Sequence, residues 1–524
     1  MAGFGIFITL LPLLYVLVRT SQIGYIRLSE VIASARTFEL VANSLVLTIA
    51  VSLTSMILGT AQAWLCNRTN LPSKRLYQVA AVLPLAFPSY VLAFSWLAII
   101  PSINGFLGAW LVLSISTSPY VFLAVTAALS RHDSSSEEVA RTLGKTQFDV
   151  ARTITWPAVR PAVLGASLLV ALYTLSDFGA VSLMRYDAFT RAIYNAYRAS
   201  FDRDTAAALA LVLILITLVL VIFQRKITQT HVTKSTEQYR HMETQLGLWR
   251  TPVQLLLIAW FSISVLIPIT SIFYWMFVGQ SSANSGQVFR ALLNTLSYGL
   301  AGGLVVTAIG LAIAIIVVRY GAKKLVRVEQ SIYLTHALPG VVIALSFVFL
   351  VNLSMPALYQ TSFLVILAYI ALFLPNAVAV LKVPISQVPT GVEEVSRTLG
   401  SSPMQTVRRV IVPAARPGIL GAGAFVALTV IKELPATLIL RPTGIETLAT
   451  RLWSATSVGS FSAAAPYALL LIIVAGIPAL LVNREIQSTR KQSSLDSATY
   501  ETLSEVRPYL GQDLSRAQAG GNDD

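Results

Sequence analysis

Long apolar runs dominate the chain, and the polar positions gather between them. A run of roughly 18 or more apolar residues is long enough to cross a bilayer as a helix. Such runs fall near residues 4–18, 40–64, 76–100, 106–129, 162–184 and 206–224. A second set lies near 250–278, 291–318, 331–351, 361–382, 417–440 and 464–483. The first run is short, and the fourth is interrupted by Ser114, Ser116, Thr117 and Pro119, so a count of eleven or thirteen also suits the pattern. In lipid every backbone polar group must find a partner inside the structure, which leaves helices and closed barrels. Runs this long and continuous exclude barrel strands. The pattern predicts an all-α integral membrane protein with about twelve transmembrane helices in two six-helix halves.

The polar stretches set the boundaries. Residues 1–224 form the expected first transmembrane domain and 251–483 the second. Between them, residues 225–250 lack apolar periodicity and carry Arg225, Lys226, Lys234, Arg240 and Arg250, which reads as a cytoplasmic linker. Residues 484–524 are polar and mixed in charge, and are expected to be a partly disordered cytoplasmic tail. The apolar run Phe4 to Val18 resembles a signal peptide, with Ala33-Ser34-Ala35 as a cleavage site. No positive charge precedes it and that site lies too far beyond it, so a retained first helix is expected. The missing polar leader suggests a start codon assigned slightly late.

Composition supports this. Of 524 residues, 55% are hydrophobic and 12% charged, and the mean hydropathy is +0.70. A soluble domain carries about 25% charged residues; so few charges can cover only the ends of a bundle whose waist faces lipid. The net charge of +14 would suggest nucleic acid in a soluble protein. Here no basic stripe marks a soluble module, and cytoplasmic loops of membrane proteins collect Lys and Arg. With the N-terminus placed inside, the inner loops hold Arg68, Lys74, Arg75, Arg131, Arg141, Lys145, Arg319, Lys323, Lys324 and Arg327, and the outer loops hold fewer basic residues. Both halves agree on this orientation, so both termini are expected in the cytoplasm. A lone cysteine, Cys66, excludes an intramolecular disulfide. His132, His231, His241 and His336 have no partner at a ligand spacing, so no metal site is expected.

An internal repeat carries the functional signal. Glu137-Glu138-Val139-Ala140-Arg141-Thr142-Leu143-Gly144 recurs as Glu393-Glu394-Val395-Ser396-Arg397-Thr398-Leu399-Gly400. Without a gap, Arg152 then pairs with Arg408, Pro157-Ala158 with Pro413-Ala414, Arg160-Pro161 with Arg416-Pro417, and Arg185 with Arg441. The halves read as a fused duplication related by an axis along the membrane normal. Each copy occupies an inner loop, within 130–161 and 383–417. The grammar is a short amphipathic helix, a glycine break at Gly144 or Gly400, a second short helix, and a stop at Pro157 or Pro413. A buried structural elbow would have the same grammar; two copies on one face argue for docking elbows that meet a two-fold partner.

The spacing E-x-A-x-x-x-G, nine residues, then I-x-x-P resembles the EAA loop of ABC importer permeases. Glu138, Ala140, Gly144, Ile154 and Pro157 match it; Glu394, Gly400, Val410 and Pro413 match in the second copy, where Ser396 replaces alanine. Val139 and Val395 stand where alanine is usual, and Trp156 and Val412 where leucine is usual. The resemblance implies a bacterial inner-membrane permease whose two loops form coupling helices on two copies of a cytoplasmic ATPase. It also implies an extracytoplasmic substrate-binding protein, with ATP and Mg held by the ATPase. The stretch Lys432-Glu433-Leu434-Pro435-Ala436-Thr437-Leu438-Ile439-Leu440-Arg441-Pro442 is similar to the iron(III) branch; thiamine, sulfate and polyamine permeases are the alternatives.

Lys432 and Glu433 lie near the outer end of an expected span, with Ser176 and Asp177 at the matching place in the first half. Ionisable groups at such depth are costly and mark function or pairing; a translocation path or outer gate is one reading, an inter-helix salt bridge the other. No His, Tyr and carboxylate cluster is visible beside them, so tight iron(III) capture is expected in the binding protein. Arg185, Arg198, Arg203, Arg441 and Arg451 are candidates for docking that protein. Gly144-Lys145-Thr146 lacks the glycine of a phosphate-binding loop, since Val139 stands five residues earlier, so this chain is not expected to bind ATP. Gly299 and Gly303 read as close helix packing. The rival classes are an ion-coupled secondary transporter, which does not need the duplicated elbow, and a membrane-embedded enzyme, which needs a catalytic cluster that is not visible.

Overall fold

The computed structural model describes residues 1–131, 135–198, 202–228, 244–278, 284–321 and 338–476. The described part is helical, apart from one isolated bridge between Thr69 and Thr244. Residues 1–475 form one compact unit; the second, 476–524, lies outside the described residues except for Gly476.

The first half runs through α1 (Ala2–Ile23), α2 (Tyr25–Ile32), α3 (Ala35–Arg68), α4 (Lys74–Val82), α5 (Ser89–Ile99), α6 (Phe106–Arg131), α7 (Ser135–Thr142), α8 (Gln147–Ser176), α9 (Gly179–Leu183), α10 (Phe189–Arg198) and α11 (Arg203–Thr228). The second half runs through α12 (Gly247–Phe277), α13 (Ser285–Tyr320), α14 (Gly340–Ser354), α15 (Ser362–Gln387), α16 (Thr390–Thr398), α17 (Pro403–Ala414), α18 (Arg416–Ile431), α19 (Pro435–Leu440), α20 (Leu448–Ser457) and α21 (Phe461–Gly476). Eight of these helices are long and apolar enough to cross a membrane, and two bent pairs raise the number to ten. The remaining two expected spans fall on the shorter apolar helices α14 and α21. Their flanks, 322–337 and 477–524, lie outside the described residues.

Several expected spans change shape. The run 76–100 is two helices meeting at 94°, with Pro84 and Pro88 at the corner. Proline removes a backbone donor and clashes with the preceding turn, so a sharp bend falls there. The run 106–129 is not interrupted: α6 is continuous and buries Ser114, Thr117 and Pro119 against its neighbours. The runs 162–184 and 417–440 each break, before α9 and α19. The first domain's last helix reaches Thr228, past the expected boundary at 224.

The two halves pack alike. In the first, α3 lies against α6 and α8, and α6 against α8; in the second, α13 lies against α15 and α18, and α15 against α18. The opening helices are exchanged. α1 packs on α14 and α15 of the second half, and α12 packs on α5 of the first. Tyr15 stacks on Phe349 at 5.7 Å between ring centres. Ser271 donates to the Ser95 carbonyl at 2.8 Å and the Trp275 indole to the Ala98 carbonyl at 3.0 Å. These polar contacts inside an apolar bundle fix register as well as proximity.

Candidate functional site

The two elbows have matching geometry. α7 ends at Gly144, whose φ is +85°, and α16 ends at Gly400, whose φ is +84°. In each, the glycine N–H donates to the carbonyl three residues back and the next N–H to the carbonyl five back: Gly144 to Arg141 and Lys145 to Ala140, then Gly400 to Arg397 and Ser401 to Ser396. This is the left-handed helix stop that favours glycine. A Cβ at either position would meet nothing within 4 Å, so the backbone angle rather than space requires glycine. The next helix is capped by Thr146 in the first elbow and by a Ser402–Gln405 capping box in the second.

Each elbow has an inner and an outer face. Val139, Leu143 and Phe148 are exposed, as are Val395, Leu399 and Met404 at the same repeat positions. Glu138 and Glu394 stand exposed beside them. Ala140 and Val150 are buried in the first copy. In the second, Ser396 and Thr406 take those places, with their hydroxyls 3.2 Å apart. The departure from the motif at Ser396 is therefore matched by its neighbour.

Pro157 does not stop a helix, whereas the helix carrying Pro413 ends one residue after it. A π turn over Ala151–Thr155 precedes Pro157, and α8 continues to Ser176. A π turn over Val407–Ile411 precedes Pro413; the helix ends at Ala414 and α18 leaves at 78°. The wider turn is a local adjustment through which a helix can carry proline.

Burial picks out the other glutamate of each pair. Glu137 reaches Arg68, the last residue of α3, at 2.8 Å, with side-chain exposures of 12% and 4%. Thr155 Oγ1 also donates to Glu137 at 2.7 Å. In the second half Glu393 meets Arg319, near the end of α13, at 2.7 Å, with exposures of 9% and 7%. Arg319 Nη2 further donates to the carbonyls of Ile385 and Val388. Removing one partner from such a buried pair leaves an uncompensated charge, at about 3–5 kcal/mol. The sequence pattern singled out Glu138 and Glu394; the signal it left unused is that Arg68 and Arg319 are the basic residues closing matching apolar runs.

The membrane charges occupy helix breaks. Asp177 Oδ1 accepts the Ala180 N–H at 2.8 Å, and Oδ2 accepts the Ser89 hydroxyl at 2.5 Å. Glu433 accepts the N–H groups of Ala436 and Thr437 at 2.6 and 2.8 Å, and the Thr437 hydroxyl. Each carboxylate thus caps the short helix after the break, α9 or α19. Ser89 and Gly340 follow the prolines that open α5 and α14. Glutamate's extra methylene lies where Gly340 leaves room; a Cβ there would stand 3.5 Å from Glu433 Oε1. Lys432 crosses between halves, donating from Nζ to the Leu85 carbonyl at 2.8 Å, while the Tyr90 hydroxyl donates to the Lys432 carbonyl at 3.3 Å. Local sequence shows no His, Tyr and carboxylate cluster here, yet the fold brings tyrosines to these charges. Tyr90 and Tyr369 lie within electrostatic reach of Glu433, and Tyr173 of Asp177. They come from distant helices, which is why local sequence did not show them. Among the described residues no three His, Cys, Asp or Glu side chains gather as a metal site. All four histidines lie outside those residues.

The arginines proposed for docking divide into two groups. Arg185 and Arg198 are exposed. Arg203 is exposed too and lies over the Phe349 ring at 5.5 Å. Arg441 is folded onto Glu446 at 2.8 Å, and Arg451 approaches the same carboxylate at 3.9 Å. Nearby, the Thr205 N–H donates to Asp202 and holds its carboxyl below the usual carboxylate range.

A helical membrane bundle in two homologous halves, each with the same exposed elbow, defines a membrane transport component. Residues 53–230 and 327–487 match the family described as "Binding-protein-dependent transport system inner membrane component". The chain belongs to that family. It is 35% identical to the "Fe(3+)-transport system permease protein FbpB 2" of Haemophilus influenzae, over 90% of this chain and 95% of that protein. It is 21% identical to the "Ferric transport system permease protein FbpB" of Actinobacillus pleuropneumoniae, over 83% of this chain and 69% of that protein. The "Sulfate transport system permease protein CysT" of Escherichia coli is 27% identical over 33% of this chain.

Proposed function

We propose that this chain forms the translocation path of an ATP-driven importer of iron(III), sitting in the inner membrane with both termini in the cytoplasm. The observation that carries this is the duplicated elbow: the same glycine stop and the same exposed Val, Leu and Phe or Met positions occur in both halves. Two equal apolar knobs on one chain suit two copies of one ATPase subunit, which would bind ATP and Mg. Glu138, Ala140, Gly144 and Pro157 shape the first knob, and Glu394, Ser396, Gly400 and Pro413 the second. A loaded binding protein docks outside, using the exposed Arg185, Arg198 and Arg203 more readily than Arg441 and Arg451, which Glu446 already engages. Closure of the ATPase pair moves the elbows and opens the path outward; hydrolysis resets it.

Iron(III) as cargo rests on the extent of likeness to the ferric permeases and on the oxygen chemistry at the helix breaks. Ser176, Asp177, Lys432 and Glu433 line that region, with Tyr90, Tyr173 and Tyr369 beside them; carboxylate and phenolate oxygens are the donors a hard trivalent cation prefers. The carboxylates are engaged as caps, which suits brief contacts rather than capture. The test is co-purification with the partner ATPase, using Gly144→Pro with Gly400→Pro. Proline's φ near −65° cannot meet the positive φ of either stop, so the double variant is expected to lose the ATPase and iron(III) uptake. Uptake into liposomes by the chain alone, without ATPase or nucleotide, would overturn the reading.

A further inference from the structure

Resting on the importer reading, we infer that α3 and α13 are paired push-rods, each joining one ATPase-bound elbow to the outer loop that receives the binding protein. Both ends are pinned in the same way in each half. At the inner end are the buried pairs Arg68–Glu137 and Arg319–Glu393. At the outer end, Asn43 Nδ2 donates to the Asp187 carbonyl at 3.2 Å and the Phe189 N–H donates to Ser44 Oγ at 3.2 Å. In the second half Asn294 Nδ2 donates to the Glu446 carbonyl at 2.9 Å and the Leu448 N–H donates to Thr295 Oγ1 at 2.8 Å. Phe189 and Leu448 are the first residues of α10 and α20, so each rod grips the start of an outer-loop helix by its main chain.

The spacing is preserved where the rest drifts. Asn43 lies 25 residues before Arg68, and Asn294 lies 25 residues before Arg319. At 1.5 Å per residue this is about 37 Å, more than the thickness of the hydrocarbon core. From rod end to elbow glutamate, by contrast, the separation is 69 residues in the first half and 74 in the second. Neither rod contains proline, a π turn or a break, whereas α6 and α15 carry proline, α8 and α12 carry π turns, and α4–α5 and α17–α18 are sharply bent. A continuous helix carries an axial displacement that a sharply kinked one would absorb. The inner pairs fit the same role. A buried ion pair is weak evidence for stability, because packed apolar residues serve as well or better; it does fix one geometry. Here it fixes which side chain of the elbow moves with which helix.

The test uses the chain purified with its ATPase in liposomes, reading ATP hydrolysis with and without loaded binding protein. The informative quantity is the ratio of stimulated to basal hydrolysis, which a purely structural role would leave unchanged while lowering yield. Glu137→Gln with Glu393→Gln disconnects the inner ends, and Asn43→Ala with Asn294→Ala the outer ends. Each pair is expected to retain the ATPase and basal hydrolysis while stimulation falls about tenfold, within the range of ordinary inter-site coupling. If the glutamate pair fails to assemble, the asparagine pair, far from the elbows, decides alone. Full stimulation in the asparagine pair overturns the rods and leaves the importer reading standing. A wild-type chain that neither holds an ATPase nor responds to the binding protein overturns both.

Discussion

Asp177 and Glu433 occupy equivalent breaks, yet they are satisfied differently, and the difference sets an order of sensitivity. One oxygen of Asp177 faces a backbone N–H and the other a serine hydroxyl, which can turn to accept. Both oxygens of Glu433 face backbone N–H groups. Asp177→Asn can therefore place its amide toward Ser89, whereas Glu433→Gln must set an NH2 against an N–H. Glu433→Gln is expected to cost about 1–3 kcal/mol, the penalty for buried unsatisfied donors, and Asp177→Asn distinctly less. Thermal unfolding in detergent measures both, and equal losses would refute the assignment. At this scale the sequence was legible where chemistry is local. The positive φ of Gly144 and Gly400 follows from a helix–glycine–helix grammar. It was illegible where the partner is remote: Glu137 is inward because Arg68 stands behind it, and nothing beside Glu137 announces that.

The elements were read well as to type and poorly as to continuity. Apolar length marks a helix crossing lipid, but it does not separate a straight helix from a bent pair or from a helix that stops at an ionisable residue. Hence 76–100 turned by 94°, while 106–129 stayed whole, with the Thr117 hydroxyl bonded back to the Leu113 carbonyl and across to Ser55 of α3. Close packing between elements is where small residues matter. Gly59 of α3 sits against α6 so tightly that a Cβ would stand 2.7 Å from the Ser118 carbonyl oxygen and 2.8 Å from the Phe122 nitrogen. Those are backbone atoms and cannot rotate away. Gly59→Ala is expected to force α3 from α6 and destabilise by about 1–3 kcal/mol, as overpacking does. Gly421 of α18 has nothing within 4 Å of its Cβ position. Gly421→Ala is expected to be neutral or to stabilise by up to about 1 kcal/mol through helix propensity. The pair, compared by thermal unfolding, separates packing from propensity; a neutral Gly59→Ala would show that the crossing has slack. The Gly299 and Gly303 pair behaves as its spacing suggested, pressed against Ile431 and Ala427 of α18.

At the scale of the whole chain, the duplication was visible and the exchange of opening helices was not. A repeat aligns each helix with its counterpart, but hydropathy does not say against which half a helix packs, since lipid and a neighbouring apolar helix are equally good surroundings. The exchange has a consequence for assembly. α1 is covalently part of the first half yet packs on α14 and α15, and α12 belongs to the second half yet reaches α5. Lys432 and Tyr90 add polar bonds across the same boundary. The halves therefore hold one another by interlocked helices, and the peptide connection between them is not what keeps them together. A protease site inserted between residues 236 and 237 and cut in mild detergent should leave two fragments that elute as one species. The cut chain should still retain its ATPase, because each elbow and its arginine–glutamate pair lie within one fragment. Weakening the exchange should show only after cutting. Trp275→Phe removes the indole bond to the Ala98 carbonyl, worth about 1 kcal/mol. That is too little to unfold the intact chain, but it shifts an association equilibrium about fivefold, since 1.4 kcal/mol is tenfold. Gel filtration at falling protein concentration would reveal it as earlier separation of the cut variant. Fragments that part immediately in the wild type would mean that the linker, and not the exchanged helices, joins the halves.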